Sequence, residues 1–199
     1  MSHPLRALLV LVLALAGCSD PGPDWHGKDI RNLMPDLAFT LTDARGQSVT
    51  ADQTAGKIRL LYFGYTSCPD VCPTTLADLR QAVRALPETT RDDIVTLFVS
   101  VDPERDSPER LASYVRFFGD NVIGMTGSLT ELRDLTRRYR TTFGYDEPDE
   151  HGNYDVSHSS AVYVFDRSGE ARLLLRPNSM PPGQIRDDLE QLAREQPPS

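Results

Sequence analysis

The distribution of apolar and polar positions predicts that strands and helices alternate along the chain. The segment KIRLLYFGYTS at 57–67 is a largely apolar run, which is typical of a buried strand. It leads into CPDVCPTTLADLRQAVRAL at 68–86, where apolar residues recur at helical spacing. The segment DIVTLFVSVD at 93–102 predicts a second buried strand.

Capping signals predict two further helices in the second half of the chain. Ser107 is a good N-cap, and Pro108 follows it at the first helical position. Ser128 and Glu131 have the spacing of a capping box. The other predicted elements are a hairpin at 36–50, a short strand at 121–127, a polar loop at 145–153, a hairpin at 160–176 that turns at 166–169, and a helix at 181–195.

This order of elements predicts an α/β fold. Alternating strands and helices that end in a hairpin indicate a three-layer sandwich with a mixed central sheet, preceded by an N-terminal hairpin. The cysteine motif at 68–72 lies where a buried strand gives way to a helix, and in open α/β sheets sites form at the carboxyl ends of strands. A cysteine motif that opens the first long helix resembles the thioredoxin fold.

The first residues predict a secretion signal and an anchor. One basic residue, Arg6, precedes an apolar run from Ala7 to Ala16, which is too short for a permanent span of ~20 residues. The sequence before Cys18 resembles the lipobox of bacterial lipoproteins, which implies cleavage and lipid attachment there. We therefore predict a signal peptide at 1–17, a tether at 18–34 and a thioredoxin-like domain at 35–196, in a protein anchored by lipid to a bacterial membrane and facing the periplasm or outer side.

The charge and the cysteine content of the chain exclude some functions. A formal net charge of −8 argues against nucleic acid as a partner, because phosphates need a basic surface. A chain of 199 residues can bury a core without disulfide support, and a bridge across so short a loop would stabilise little. With Cys18 lipidated, Cys68 and Cys72 are the remaining thiols of the three cysteines. Outside the cytoplasm their redox state becomes a variable.

The spacing of Cys68 and Cys72 allows more than one chemistry. One helical turn, about 6 Å, suits either a disulfide or two thiolates on one metal ion. A helix N-terminus stabilises the thiolate form of a cysteine, which favours both disulfide chemistry and metal binding. A redox pair, a metal site and an inert structural pair therefore all remain open. Disulfide and metal exclude each other, because the metal needs both thiolates.

A histidine is the candidate third ligand. His26 falls in the predicted tether and His151 in the acidic loop, and both are expected to be exposed. His158 precedes an apolar strand, and in thioredoxin-like folds the segment entering this strand abuts the cysteine helix. Two thiolates and an imidazole suit zinc or copper. A structural zinc site would take a fourth protein ligand, so the count favours copper, as Cu(I) or Cu(II).

With these residues assembled, the chain resembles the Sco/SenC family of copper-binding, thioredoxin-like proteins. The resemblance covers about 36–194 and rests on GYTSCPDVCP, FVSVDPERDSPERLASYV, IGMTGS and YDVSHSSAVYVFDRSGE. It implies copper bound by Cys68, Cys72 and His158, and either copper delivery to the dinuclear centre of cytochrome c oxidase or prior reduction of that centre's cysteines. Asp102 is either an additional or supporting group at the metal or a turn residue at the helix entry. Ser157 departs from the aspartate that relatives often carry there.

The resulting prediction is a metallochaperone rather than an enzyme. Its partners would be the copper-accepting subunit of cytochrome c oxidase and other periplasmic copper chaperones or thiol reductants. The alternative is a thiol-disulfide oxidoreductase in which Cys68 attacks and Cys72 resolves. His158 separates the two, because a reductase does not need it.

Overall fold

An eight-stranded mixed sheet forms the middle layer of the protein. The computed structural model describes residues 24–195. The strands are β1 (Lys28–Asp29), β2 (Thr40–Asp43), β3 (Ser48–Thr50), β4 (Ile58–Gly64), β5 (Ile94–Ser100), β6 (Val122–Thr126), β7 (Phe143–Tyr145), β8 (Val156–His158), β9 (Val162–Phe165) and β10 (Ala171–Leu175). The helices are α1 (Val71–Arg84), α2 (Glu88–Arg91), α3 (Pro108–Phe118), α4 (Leu129–Arg138) and α5 (Pro182–Arg194).

The sheet runs in the order β1-β10-β9-β4-β5-β6-β2-β3. Strands β4, β5 and β6 are parallel neighbours, and the remaining pairs are antiparallel. Every residue of β4 and β5 is buried, because helices cover both faces there. The predicted buried strands and terminal hairpins are therefore confirmed.

Aromatic contacts show which helices cover one face. Tyr62 of β4 and Phe98 of β5 lie in register, and Phe98 packs against Tyr114 of α3 with ring centroids 5.4 Å apart. Helix α1 lies on the same face, because a Cβ on Gly64 would lie 2.8 Å from the sulfur of Cys72. Helix α5 packs beside α1.

The opposite face of the sheet is covered by α4 and by Tyr139, the residue that follows it. Val162 pairs with Tyr62, so the adjacent Tyr163 projects to the other side of the sheet. Tyr139 packs against Tyr163 and Phe165 there, with centroids 5.7 and 5.4 Å apart. The predicted three-layer α/β sandwich with a mixed sheet is confirmed.

The N-terminal boundary of the domain differs from the prediction. Lys28 pairs with Leu174 of β10, and Ile30 is 2% exposed, so the predicted tether at 18–34 is too long. The backbone N–H groups of His26 and Gly27 also donate to the buried carboxylate of Asp188 in α5, at 2.9 and 2.8 Å. A two-residue strand has too little periodicity to be recognised from sequence.

The predicted signal peptide at 1–17 and the lipidated Cys18 lie outside the described residues. Among the residues that are described, no helix combines the length and the apolar character needed to cross a membrane.

The segment at 145–153 is a polar loop as predicted, apart from Tyr145, but the strands on either side of it were not predicted. It joins the strands of a separate antiparallel hairpin, β7–β8, in which Phe143 pairs with His158. The ribbon continues beyond the strands, because the N–H of Asp146 donates to the carbonyl of Asp155 at 3.0 Å. Gly152, with φ of 80°, supplies the left-handed residue of the turn. Acidic composition concealed the pairing.

Candidate metal centre

Strand β4 and helix α1 position the two cysteines. The strand ends at Gly64, a loop follows, and Cys72 is the second residue of α1. Cys68 lies in the loop before the helix, so the two cysteines do not share its first turn. Pro69 accounts for this, because a residue before proline is held away from the helical region. The backbone N–H of Cys72 donates to the sulfur of Cys68 at 3.3 Å, which joins the pair.

His158 completes the group from the opposite side. It ends β8, and its Nε2 lies 3.3 Å from Sγ of Cys72. Its Nδ1 lies 3.1 Å from the carbonyl oxygen of Ser159, so a proton on Nδ1 satisfies that acceptor and leaves the Nε2 lone pair facing the sulfurs. The ligand atoms of Cys68, Cys72 and His158 all lie within 4.8 Å of one another. The structure therefore brings together the three residues singled out in the sequence.

The walls of the site are aromatic and tightly packed. The rings of Tyr65 and Tyr62 meet the His158 ring edge-on, with centroids 5.7 and 6.2 Å away. Gly64 is required beneath them, because a Cβ there would lie 2.8 Å from both Sγ of Cys72 and the Phe98 ring. A glycine that ends a buried strand signals such a close approach, and Gly64 was not predicted to have this role.

The loop that carries Cys68 is fixed by a buried carboxylate. Asp106 is 1% exposed and accepts hydrogen bonds from the backbone N–H and the hydroxyl of Thr66, at 2.9 and 2.5 Å. It also accepts from the Ser100 hydroxyl at 2.5 Å. Asp106 was not singled out in the sequence, because an aspartate before a helix has many ordinary uses.

The pKa values of the two cysteines are shifted in opposite directions. The hydrogen bond from Cys72 lowers the pKa of Cys68 to about 4, with help from the backbone N–H groups of Cys72 and Asp70. The same contact with Cys68, together with burial, raises the pKa of Cys72. The metal-free pair therefore holds one thiolate, on the partly exposed Cys68, and one buried thiol.

Cys68 is expected to react with iodoacetamide almost as fast at about pH 6 as at about pH 8. Its thiolate is present above a pKa of about 4, whereas a thiol with the usual value of 9.0 loses roughly tenfold in rate per pH unit. Peptide mass spectrometry of the reduced protein would follow each cysteine separately. The buried Cys72 is the internal control and should stay unlabelled. A steep fall in the Cys68 rate below pH 8 would contradict the assigned thiolate.

Asp102 lies outside the three-residue group. It is fully buried, and its carboxylate accepts from the Tyr154 hydroxyl at 2.9 Å and from Nε of Arg105 at 2.5 Å. Asp102 therefore organises the turn after β5 and is not one of the grouped ligand atoms, and a supporting role at the metal stays a prediction. Arg105 and Tyr154 were missed, because nothing in their local sequence pairs them.

The remaining predictions around the site concern exposed residues. His26 and His151 are both exposed, as expected, and neither joins the group. Ser157, where an aspartate was expected from the resemblance, is exposed and donates to the carbonyl of Gly144 across the hairpin at 3.2 Å. Its side chain therefore supports the ribbon beside His158.

Comparisons with known proteins agree with this geometry. The family model SCO1/SenC matches residues 32–194. A SCO2-like protein of Rickettsia typhi is 36% identical over 143 residues, 70% of this chain and 68% of the relative. The mitochondrial SCO1 homolog of Homo sapiens is 38% identical over 133 residues, 66% of this chain and 44% of that protein. Bradyrhizobium japonicum ScoI, solved with copper bound, superposes with a TM-score of 0.70 at 33% identity, covering 79% of this chain and 98% of that one.

Proposed function

Because this chain belongs to the SCO1/SenC family, we propose that it is a copper metallochaperone of the cell envelope that supports assembly of the dinuclear copper centre of cytochrome c oxidase. The observation that carries the proposal is the convergence of Cys68, Cys72 and His158, with all ligand atoms within 4.8 Å. Copper is the cargo.

The donor set fits copper. Thiolates are soft ligands suited to Cu(I), and imidazole suits either oxidation state. The described residues offer no fourth histidine, cysteine or carboxylate within this group, whereas a structural zinc site would take four protein ligands. The relative from Bradyrhizobium japonicum, solved with copper, supports the same assignment.

The exposure of the ligands suits delivery. Cys72 is fully buried, whereas Cys68 and His158 are partly exposed. An incoming thiolate or imidazole of the recipient would displace the exposed ligands first, one at a time, and Cys72 last. The recipient is the copper-accepting subunit of the oxidase; other periplasmic copper chaperones or thiol reductants would load or reduce the site.

The proposed location is a bacterial membrane, with the domain outside the cytoplasm. The support is the sequence before Cys18, whose lipobox pattern implies a lipid anchor. A domain tethered at the membrane surface would meet a membrane-bound oxidase without diffusing freely.

A second function is favoured by one observation. Cys68 is a partly exposed cysteine with a pKa lowered to about 4, next to a buried thiol. Such a pair can act as a thiol-disulfide oxidoreductase: the Cys68 thiolate attacks a substrate disulfide and releases one substrate sulfur, and Cys72 then attacks the Cys68 sulfur of the mixed disulfide and releases the other. Two electrons pass to the substrate, whose two sulfurs leave as thiols, and a Cys68–Cys72 disulfide forms.

One transfer experiment separates the two functions. The reduced protein is mixed with the metal-free soluble domain of the oxidase subunit. Copper-loaded protein is used with the form whose copper-site cysteines are reduced, and metal-free protein with the form whose cysteines are disulfide-bonded. A chaperone moves copper to the reduced form, and the cysteines of both proteins stay reduced. A reductase instead reduces the disulfide-bonded form and becomes oxidised in equal amount. Failure to move copper to the reduced form would contradict the proposal.

A further inference from the structure

The hairpin that carries His158 depends on contacts with the rest of the domain. Strands β7 and β8 pair with each other and with no strand of the eight-stranded sheet among the described residues. An isolated two-stranded hairpin is marginally stable in water. The distance of 3.3 Å between Nε2 of His158 and Sγ of Cys72 must therefore be maintained from outside the ribbon.

Arg105 supplies several of these contacts. Its guanidinium carbon lies 3.6 Å from the ring centroid of Tyr154, the residue four positions before His158. Its Nη1 donates to the backbone carbonyl of the same tyrosine at 2.9 Å. Its Nε donates to Asp102 at 2.5 Å, and Asp102 accepts from the Tyr154 hydroxyl. Tyr154 is thus held at its ring, its carbonyl and its hydroxyl.

Arg105 also reaches the wall of the metal centre. Its guanidinium lies 5.6 Å from the ring centroid of Tyr65, and that ring meets the His158 imidazole edge-on at 5.7 Å. One side chain therefore contacts the loop after β5, the loop before α1 and the hairpin. These are the three segments that converge beside the cysteine pair.

The burial of these groups distinguishes the arrangement from an ordinary surface ion pair. The side chains of Arg105 and Asp102 are 23% and 1% exposed, whereas those of the Arg137–Asp134 pair on α4 are 75% and 63% exposed. An exposed ion pair adds little to the free energy of folding. Cation–π contacts and charged hydrogen bonds that are shielded from water contribute more.

We propose that Arg105 is a positioning residue that clamps the β7–β8 hairpin against the domain and so holds His158 within reach of the cysteines. The role in copper affinity rests on the proposed function, whereas the clamp itself is a property of the metal-free protein. Tyr154 and Asp102 are the two groups through which Arg105 acts.

The test compares Arg105→Ala and Arg105→Lys with Arg137→Ala as the matched control. In metal-free protein, amide hydrogen exchange in residues 143–158 should accelerate roughly tenfold in Arg105→Ala, since a cation–π contact and charged hydrogen bonds are lost. Exchange in β4 and β5 should be unchanged. Arg105→Lys keeps the positive charge but lacks the planar guanidinium with its several donors. Hydrogen exchange in the hairpin should therefore accelerate less than in Arg105→Ala. Arg137→Ala should match the wild type.

Copper competition with a chelator supplies the second measurement. The Cu(I) affinity should fall about 10- to 100-fold in Arg105→Ala, as for the loss of a partner that orients a ligand. Wild-type hairpin exchange in Arg105→Ala would overturn the clamp even if copper binds. If that variant does not fold, wild-type exchange in Arg105→Lys overturns it. Accelerated exchange in a chain that binds no copper would uphold the clamp and contradict only the proposed function.

Discussion

Replacing His158 with alanine is expected to abolish tight copper binding and to leave the cysteine pair reactive. His158 supplies the single nitrogen of the group, and its Nε2 faces Cys72 at 3.3 Å. Loss of a group that merely orients a ligand costs roughly 10- to 100-fold in metal affinity, so removal of a ligand itself should cost more. Competition with a Cu(I) chelator on the reduced protein measures the change.

The chain provides a matched control for this variant. His151 is exposed near the turn of the same hairpin and contacts no member of the group, so His151→Ala should bind copper like the wild type. Disulfide exchange with a small disulfide should persist in His158→Ala, because neither sulfur has been removed. Wild-type copper affinity in His158→Ala would favour the oxidoreductase over the chaperone.

Oxidation of the cysteine pair is expected to eliminate copper binding altogether. The reduced protein should hold one copper ion, and the protein with a Cys68–Cys72 disulfide should hold none. A disulfide brings the two sulfurs to about 2.05 Å and leaves no thiolate for a metal. The sulfurs already lie within 4.8 Å, and Cys68 is on a loop, so the pair can close with little backbone movement.

Copper per protein after gel filtration is the measurement. A Cys18→Ser background leaves two thiols of the three cysteines, so intermolecular bridges through Cys18 are removed. Re-reduction of the same sample is the control and should restore the stoichiometry to one. Copper retained by the fully oxidised protein would mean that the metal binds elsewhere, and the three-residue site would be wrong.

The convergence of the site could be predicted because each residue sits at a recognisable boundary. Cys68 and Cys72 follow a continuous apolar strand, and His158 precedes another, so a thioredoxin-like arrangement puts them at one edge of the sheet. Their use as copper ligands stays a prediction. The relative position of the two cysteines could not be predicted from their spacing. Proline at position 69 keeps Cys68 out of the helix, and α1 begins only at Val71.

The errors share a physical cause. Strands β1, β7 and β8 have only two or three residues each, and side chains far away in the sequence contact them. Arg105 contacts Tyr154 across 49 positions, and Asp188 accepts from Gly27 across 161. A periodic pattern needs a longer segment, so it detects neither such short strands nor the distant contacts that support them.

The direction of β1 has a consequence for orientation at a membrane. Lys28 pairs with Leu174, the residue before Leu175. Leu175 pairs with Val162 of β9, and Val162 pairs with Tyr62 near the carboxyl end of β4. The described chain therefore enters the domain at the same edge of the sheet as the cysteine pair. From Cys18 to Asp24 a fully extended chain reaches only about 20 Å. If Cys18 carries the proposed acyl group, this edge of the domain would stay within a short tether of the bilayer surface and of a recipient embedded in it.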